Sequence, residues 1–300
     1  GGTSADGVGG GAALVESGGE LALTDVNVSN CSAPAGRGGA ILVRDGHLDA
    51  RGGSFIRCSA EFGGAIALEG NQSSAAVRTA VLEGCFASAA GGAVWMGGGD
   101  LVLDGCRLRR CGTTLVSTSS VAGGPDRLGV VGWYDQADWR ATAPRGGGLS
   151  VEAGDARLVG TTVDRCYSVI GGGLHFDAGR GSLEDSEVAR CEADLAGGCV
   201  VTKAAAVRLT GSSLRGCTAQ LAASPRAVGR LDEGAGGEVL LGNGSLLDRS
   251  GAEGLAWNQS EVEPLHVLSG AVYYALPAPP GYWLHLPLQD TCHVAREACP

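Results

Sequence analysis

Lysine is almost absent: of the 22 basic residues only Lys203 is not arginine. Methionine occurs once, aromatics make up 5% of the 300 positions and charged residues 18%. No apolar run approaches the ~18 residues that a membrane span needs, so no span is expected in this segment. No stretch carries the 3.6-residue apolar stripe of a helix. No GxxxxGK[ST] follows any glycine run, which excludes a phosphate-binding loop of that kind. A formal charge of −10 and a pI near 5.0 argue against nucleic acid or an anionic lipid surface as principal partner. The 44% of hydrophobic residues nevertheless leave ample apolar surface for a core, so the chain is not disordered.

What is abundant is glycine, with 53 residues beside an ordinary 10 prolines. No Gly-X-Y triplet runs through them, so collagen is excluded and the glycines mark turns. The asparagines carry a second signal. Asn27, Asn30, Asn71, Asn243 and Asn258 are the whole complement, and each is followed two residues later by Ser. Every one is therefore an acceptor for N-glycosylation, a coincidence with a chance on the order of 10⁻⁵ if positions are independent. An extracellular or secretory-pathway glycoprotein is expected, and 11 Cys agree with an oxidising compartment. Asn71 and Asn258 are the best glycan candidates; Asn30 precedes a Cys that the fold is expected to bury.

Self-similarity organises the chain. A glycine corner followed by an apolar strand recurs as GGAALV from Gly10, GGAILV from Gly38, GGAIAL from Gly63, GGAVWM from Gly91, GGGLSV from Gly146, GGGLHF from Gly171, GGCVVT from Gly197 and GGEVLL from Gly236. After each of the first seven comes a cysteine, giving the column Cys31, Cys58, Cys85, Cys111, Cys166, Cys191 and Cys217. Runs of period-2 alternation such as ELALTDVNV lie between the two marks. The expectation is an all-β, right-handed parallel β-helix of about eight to nine coils, 25–28 residues each, with two or three short strands per coil. It should occupy residues 1–250, with a long insert at 113–145 and a second loop at 218–235. Residues 251–280 should form an irregular terminal coil or cap, and 281–300 the start of a Cys-containing tail.

The stretch FIRCSAEFGGAI, Phe55 to Ile66, resembles the paired GGA[ILV] and FxxN repeats of the chlamydial polymorphic outer-membrane proteins and related eukaryotic surface β-helices. The resemblance covers about residues 9–249 and implies the same solenoid architecture in a surface protein. Where that family carries Asn in FxxN, this chain carries Cys at all seven positions. The composition, with its single Lys, looks like that of a green-algal cell-surface or mastigoneme protein.

Three readings of the cysteine column are open: buried small hydrophobes closing a corner, local pairing that draws in Cys106 or Cys199, and metal binding. Vertical disulfides along it would need distortion, because parallel Cβ vectors about 4.8 Å apart exceed the usual Cβ spacing of a bridge. Cys292 and Cys299 form a possible disulfide in the Pro-rich tail. Trp133, Tyr134 and Trp139 in the insert either fold back as a lid or contact a sugar or partner protein. Asp155, Asp177, Asp185 and Asp194 could be gathered into an acid–base cluster, but turn positions that cap backbone amides explain Asp155 and Asp177. Arg57, Arg107, Arg109, Arg110, Arg165 and Arg190 recur with the repeat and read as an outward stripe.

The expected function is therefore a non-enzymatic extracellular structural or assembly module of a larger cell-surface or filament glycoprotein, without cofactor or metal. Its partners would be other copies or other extracellular proteins, with N-linked glycans attached. The alternative is a carbohydrate-binding or polysaccharide-degrading β-helix protein.

Overall fold

The computed structural model describes residues 9–113, 143–202 and 205–219, and beyond these only short strands. The described residues contain strands and no helix. The chain winds as a parallel β-helix. Each of the first seven coils contributes one strand to each of four sheets, so the two or three strands per coil expected from alternation become four. The second coil shows the pattern: Ile41–Arg44, His47–Arg51, Ser54–Ile56 and Ser59–Phe62. The first and second sheets have nine strands and the third and fourth have seven, all parallel. Strands Val239–Leu241 and Leu265–Val267 extend the first sheet, and Leu246–Asp248 and Val272–Tyr274 the second. Trp283–Leu284 and Val294–Ala295 form a separate antiparallel pair. Among the described residues no helix is long and apolar enough to cross a membrane.

Stacking in register turns each inward position into a column. Phe55, Leu82, Leu108, Val163, Val188 and Leu214 lie over one another in the third sheet, all buried. Ala50, Val77, Leu103, Leu158, Leu183 and Leu209 do the same in the second. Columns also exchange volume: at Gly181 the space a Cβ would take is filled by the Phe176 ring, 2.7 Å away. Burial of these side chains, about 1.5–3 kcal/mol each for the larger ones, offsets much of the cost of ordering strands of three to six residues.

The glycine pair before each first-sheet strand has a steric cause. Gly91 sits at φ 68°, in the left-handed region. A Cβ on the next residue, Gly92, would lie 2.2 Å from the Gly147 carbonyl oxygen of the following coil. The coils touch backbone to backbone there, and no side chain fits.

Rung four pairs directly with rung five in every sheet, Val94 with Leu149, Leu101 with Ala156, Leu108 with Val163 and Gly112 with Tyr167. The rungs on the two sides of residues 114–142 therefore stack without a gap.

Candidate functional site

The cysteine column is buried inside the corner between the third and fourth sheets. Its sulfurs donate weakly to carbonyls: Cys111 Sγ lies 3.4 Å from Arg109 O and 3.5 Å from Leu82 O, and Cys85 Sγ 3.5 Å from Phe55 O. The neighbouring Cys85 thiol and burial push the Cys58 thiol far above the ordinary range, and burial pushes Cys106 up. At Cys58 and Cys106 the protonated thiol is favoured, which disfavours the reactive thiolate there. Among the described residues no group of His, Cys, Asp or Glu is placed to hold a metal ion.

The column ends differently. Cys217 is bonded to Cys199, with Cα atoms 5.4 Å apart. Cys199 takes the place that Ala40, Ala65 and Ala93 fill in earlier coils, just before the first-sheet strand. Its sulfur crosses the interior to the corner, so the bond is lateral, and Cys31, Cys58, Cys85, Cys106, Cys111, Cys166 and Cys191 remain thiols. Local pairing thus holds for one member of the column. Cys292 and Cys299 lie outside the described residues.

A second buried file was not foreseen. Five residues before each of the last four cysteines stand Cys106, Thr161, Ser186 and Ser212. The Cys106 amide donates to Thr161 Oγ1 at 3.3 Å, the Thr161 amide to Ser186 Oγ at 3.0 Å, and the Ser186 amide to Ser212 Oγ at 3.0 Å. The hydroxyls donate in turn to carbonyls, Thr161 to Leu103 O at 3.0 Å and Ser186 to Leu158 O at 3.2 Å. The file turns the bend between the second and third sheets and pairs the Cys106, Thr161 and Ser186 amides there. A small or polar residue at that fixed offset was the available sequence signal.

The outer faces carry the charges. Arg57, Arg110, Arg165 and Arg190, read as an outward stripe, all sit at φ 52–53° immediately before their cysteines. Gly84 and Gly216 occupy the same slot with φ 61° and 59°. Arg190 also pairs with the nearly buried Asp164 at 2.6 Å. On the second sheet Asp155 pairs with Arg180 at 2.5 Å, Glu184 with Arg157 at 2.6 Å and Asp49 with Arg78 at 2.6 Å. Hydrogen bonds from Arg180, Arg157 and Arg51 respectively hold the Asp155, Glu184 and Asp49 carboxyls below the usual carboxylate range. Asp155 and Asp177 are ion-paired, Asp177 reaching Arg145 at 2.5 Å with both side chains 17% exposed. Asp185 stands in a bend at φ 48° and Asp194 on the fourth sheet, so the four aspartates are not brought together. The face they frame has two shallow grooves, of about 440 Å³ over Ala22, Asp49, Ala76 and Val102 and about 410 Å³ over Arg157, Ser182 and Arg208. On this face Asp49, Asp155 and Glu184 are held ionised by arginines, so none of the three is set as a general acid.

Asn27, Asn30 and Asn71 are exposed. Asn27 Oδ1 accepts from Ser54 Oγ at 2.7 Å, and Asn71 lies in the turn between Ile66–Glu69 and Ser74–Arg78. Asn30, at φ 53°, turns outward while Cys31 turns in, so burial of the cysteine does not bury the sequon asparagine. Asn243, Asn258, Trp133, Tyr134 and Trp139 fall outside the described residues.

No protein-family profile, curated protein or solved structure matches the chain.

Proposed function

We propose that the chain is a non-catalytic, N-glycosylated module of a larger extracellular glycoprotein, serving as a spacer or assembly unit at a cell surface or in a filament. The observation that carries this reading is the use of every asparagine in a sequon, with the side chains of Asn27, Asn30 and Asn71 all exposed on the rod. The likeness of the GGAI repeats to surface β-helices, and of the composition to green-algal surface proteins, points the same way. Partners would be other copies or other extracellular proteins. A polysaccharide-degrading role finds less support, since a general acid needs a raised carboxyl and Asp49, Asp155 and Glu184 are all lowered by arginines.

Non-reducing peptide mass spectrometry on protein from its native source tests the proposal. Glycans are expected at Asn71 and at one or both of Asn27 and Asn30, beside an intact Cys199–Cys217 bridge. Bare asparagine at every site would overturn the extracellular reading.

A further inference from the structure

The sulfurs of the cysteine column repeat with the coil. Cys58 O accepts from the Phe86 amide at 2.9 Å, Cys85 O from Gly112 at 3.0 Å, Cys111 O from Tyr167 at 3.0 Å and Cys166 O from Glu192 at 2.9 Å. Each donor follows the next cysteine, so successive cysteines stand one rung apart. Their side chains also take one direction. Cys85 Sγ lies 3.5 Å from Phe55 O, Cys111 Sγ 3.5 Å from Leu82 O, Cys166 Sγ 3.8 Å from Leu108 O and Cys191 Sγ 3.8 Å from Val163 O. Those four acceptors are the same position of the preceding coil. Cys58, Cys85, Cys111, Cys166 and Cys191 are all unbridged and 0% exposed, and they form a file at the strand spacing of about 4.8 Å.

That spacing is too wide for a sulfur–sulfur bond of about 2.05 Å. It fits one ion between two sulfurs, because metal–thiolate bonds of about 2.3 Å on either side span roughly 4.6 Å. No three donors converge on a point among the described residues, so zinc has no tetrahedral set. Two opposed thiolates suit instead a soft closed-shell ion that accepts linear coordination, and thiolate softness selects copper(I). We propose that successive thiols of the column, Cys58 with Cys85 and Cys166 with Cys191, each hold one copper(I) ion in linear two-sulfur coordination. The step balances as two thiols and Cu⁺ giving a bis-thiolate of charge −1, with two protons released to solvent. Arg57, Arg165 and Arg190 immediately precede three of the four ligands on the exposed side of the corner and oppose that charge; Arg190 is shared with Asp164 at 2.6 Å. Wholly buried thiols give an ion no route through the folded wall, so loading belongs to the folding step, before neighbouring coils close. The inference is independent of the assembly role proposed above and of whether the sequons are occupied.

The test is refolding of the full chain with Cys292→Ser and Cys299→Ser, so that only thiols of the rod report. The protein is unfolded in urea without reductant, which keeps the Cys199–Cys217 bond, and refolded under argon with copper(I) supplied as its acetonitrile complex. Gel filtration against a copper(I) chelator then removes loose metal. At least two copper ions per chain should be retained, and X-ray absorption should show two sulfurs at each ion and no nitrogen or oxygen. Zinc(II) offered in the same way should be lost. Cys58→Ala, Cys111→Ala and Cys191→Ala together leave each remaining column thiol two rungs from the next, and copper content should fall by at least two ions per chain. Cys106→Ala, which removes a buried thiol outside the column, should leave it unchanged. Should the triple variant fail to refold, the absorption spectrum of the unaltered column decides alone. Loss of all copper to the chelator, a third sulfur or a nitrogen at the ion, or copper content undiminished in a folded triple variant would overturn the proposal.

Discussion

At the scale of the residue, the corner before each cysteine sets side-chain choice against backbone preference. An L-residue in the left-handed region costs about 1–2 kcal/mol, which glycine avoids. Four coils accept that cost with arginine and two avoid it with Gly84 and Gly216. Part of the difference is returned, because glycine also has more freedom to lose from the unfolded chain, about 0.4–1 kcal/mol. Arg57→Gly is therefore expected to stabilise the rod by about 0.5 kcal/mol and Gly84→Arg to destabilise it by a similar amount, read from urea unfolding midpoints. A destabilised Arg57→Gly would show that the guanidinium does more than occupy the slot. Nothing in the arginines themselves betrayed this conformation, since arginine has no left-handed preference. The signal was the glycine in the same slot of two other repeats.

At the scale of the element, the glycine corner and the cysteine were legible because each recurs once per coil and is chemically unusual. The strands between were only half legible. Thr162–Asp164 and Glu187–Ala189 carry one central inward residue each, Val163 and Val188, so alternation is too short to register as a strand. Four sheets per coil follow only when those short pieces are stacked. The Cys199–Cys217 bond was legible as an option but not as a choice, because its geometry depends on an alanine-sized column that the sequence presents one residue at a time. Removing it with Cys199→Ala and Cys217→Ala opens an 18-residue loop, and a chain-entropy estimate puts the loss at about 3 kcal/mol. Solenoid coils are stabilised mainly by their neighbours. Hydrogen exchange should accordingly quicken over residues 199–219 and stay unchanged over 41–104; a uniform rise along the rod would contradict this local accounting.

At the scale of the whole molecule, three outer carboxylates and two inner thiols are shifted in opposite senses. Outer carboxylates at Asp49, Asp155 and Glu184 have lowered pKa values, so their contribution is present above the ordinary carboxylate range and is lost as pH falls through it. They are solvent-exposed, so the effect is modest and shrinks with salt. Inner thiols at Cys58 and Cys106 have raised values. The unfolded chain then sheds its thiol protons first, and stability declines as pH rises past the ordinary thiol value of 9.0. Unfolding midpoints between pH 3 and pH 11 should therefore fall at both ends, with only the acid limb softened by salt. Native thiols should resist an aromatic disulfide reagent at neutral pH until the chain is unfolded; rapid labelling of the folded rod would place the column nearer the surface than its burial implies.

The continuity of rungs four and five has a consequence for how such a chain can change. Gly112 pairs with Tyr167 and Val94 with Leu149, so the described rungs on the two sides of residues 114–142 are in direct register with each other. A foreign domain grafted at that junction is therefore expected to leave the register of the rod on either side unchanged.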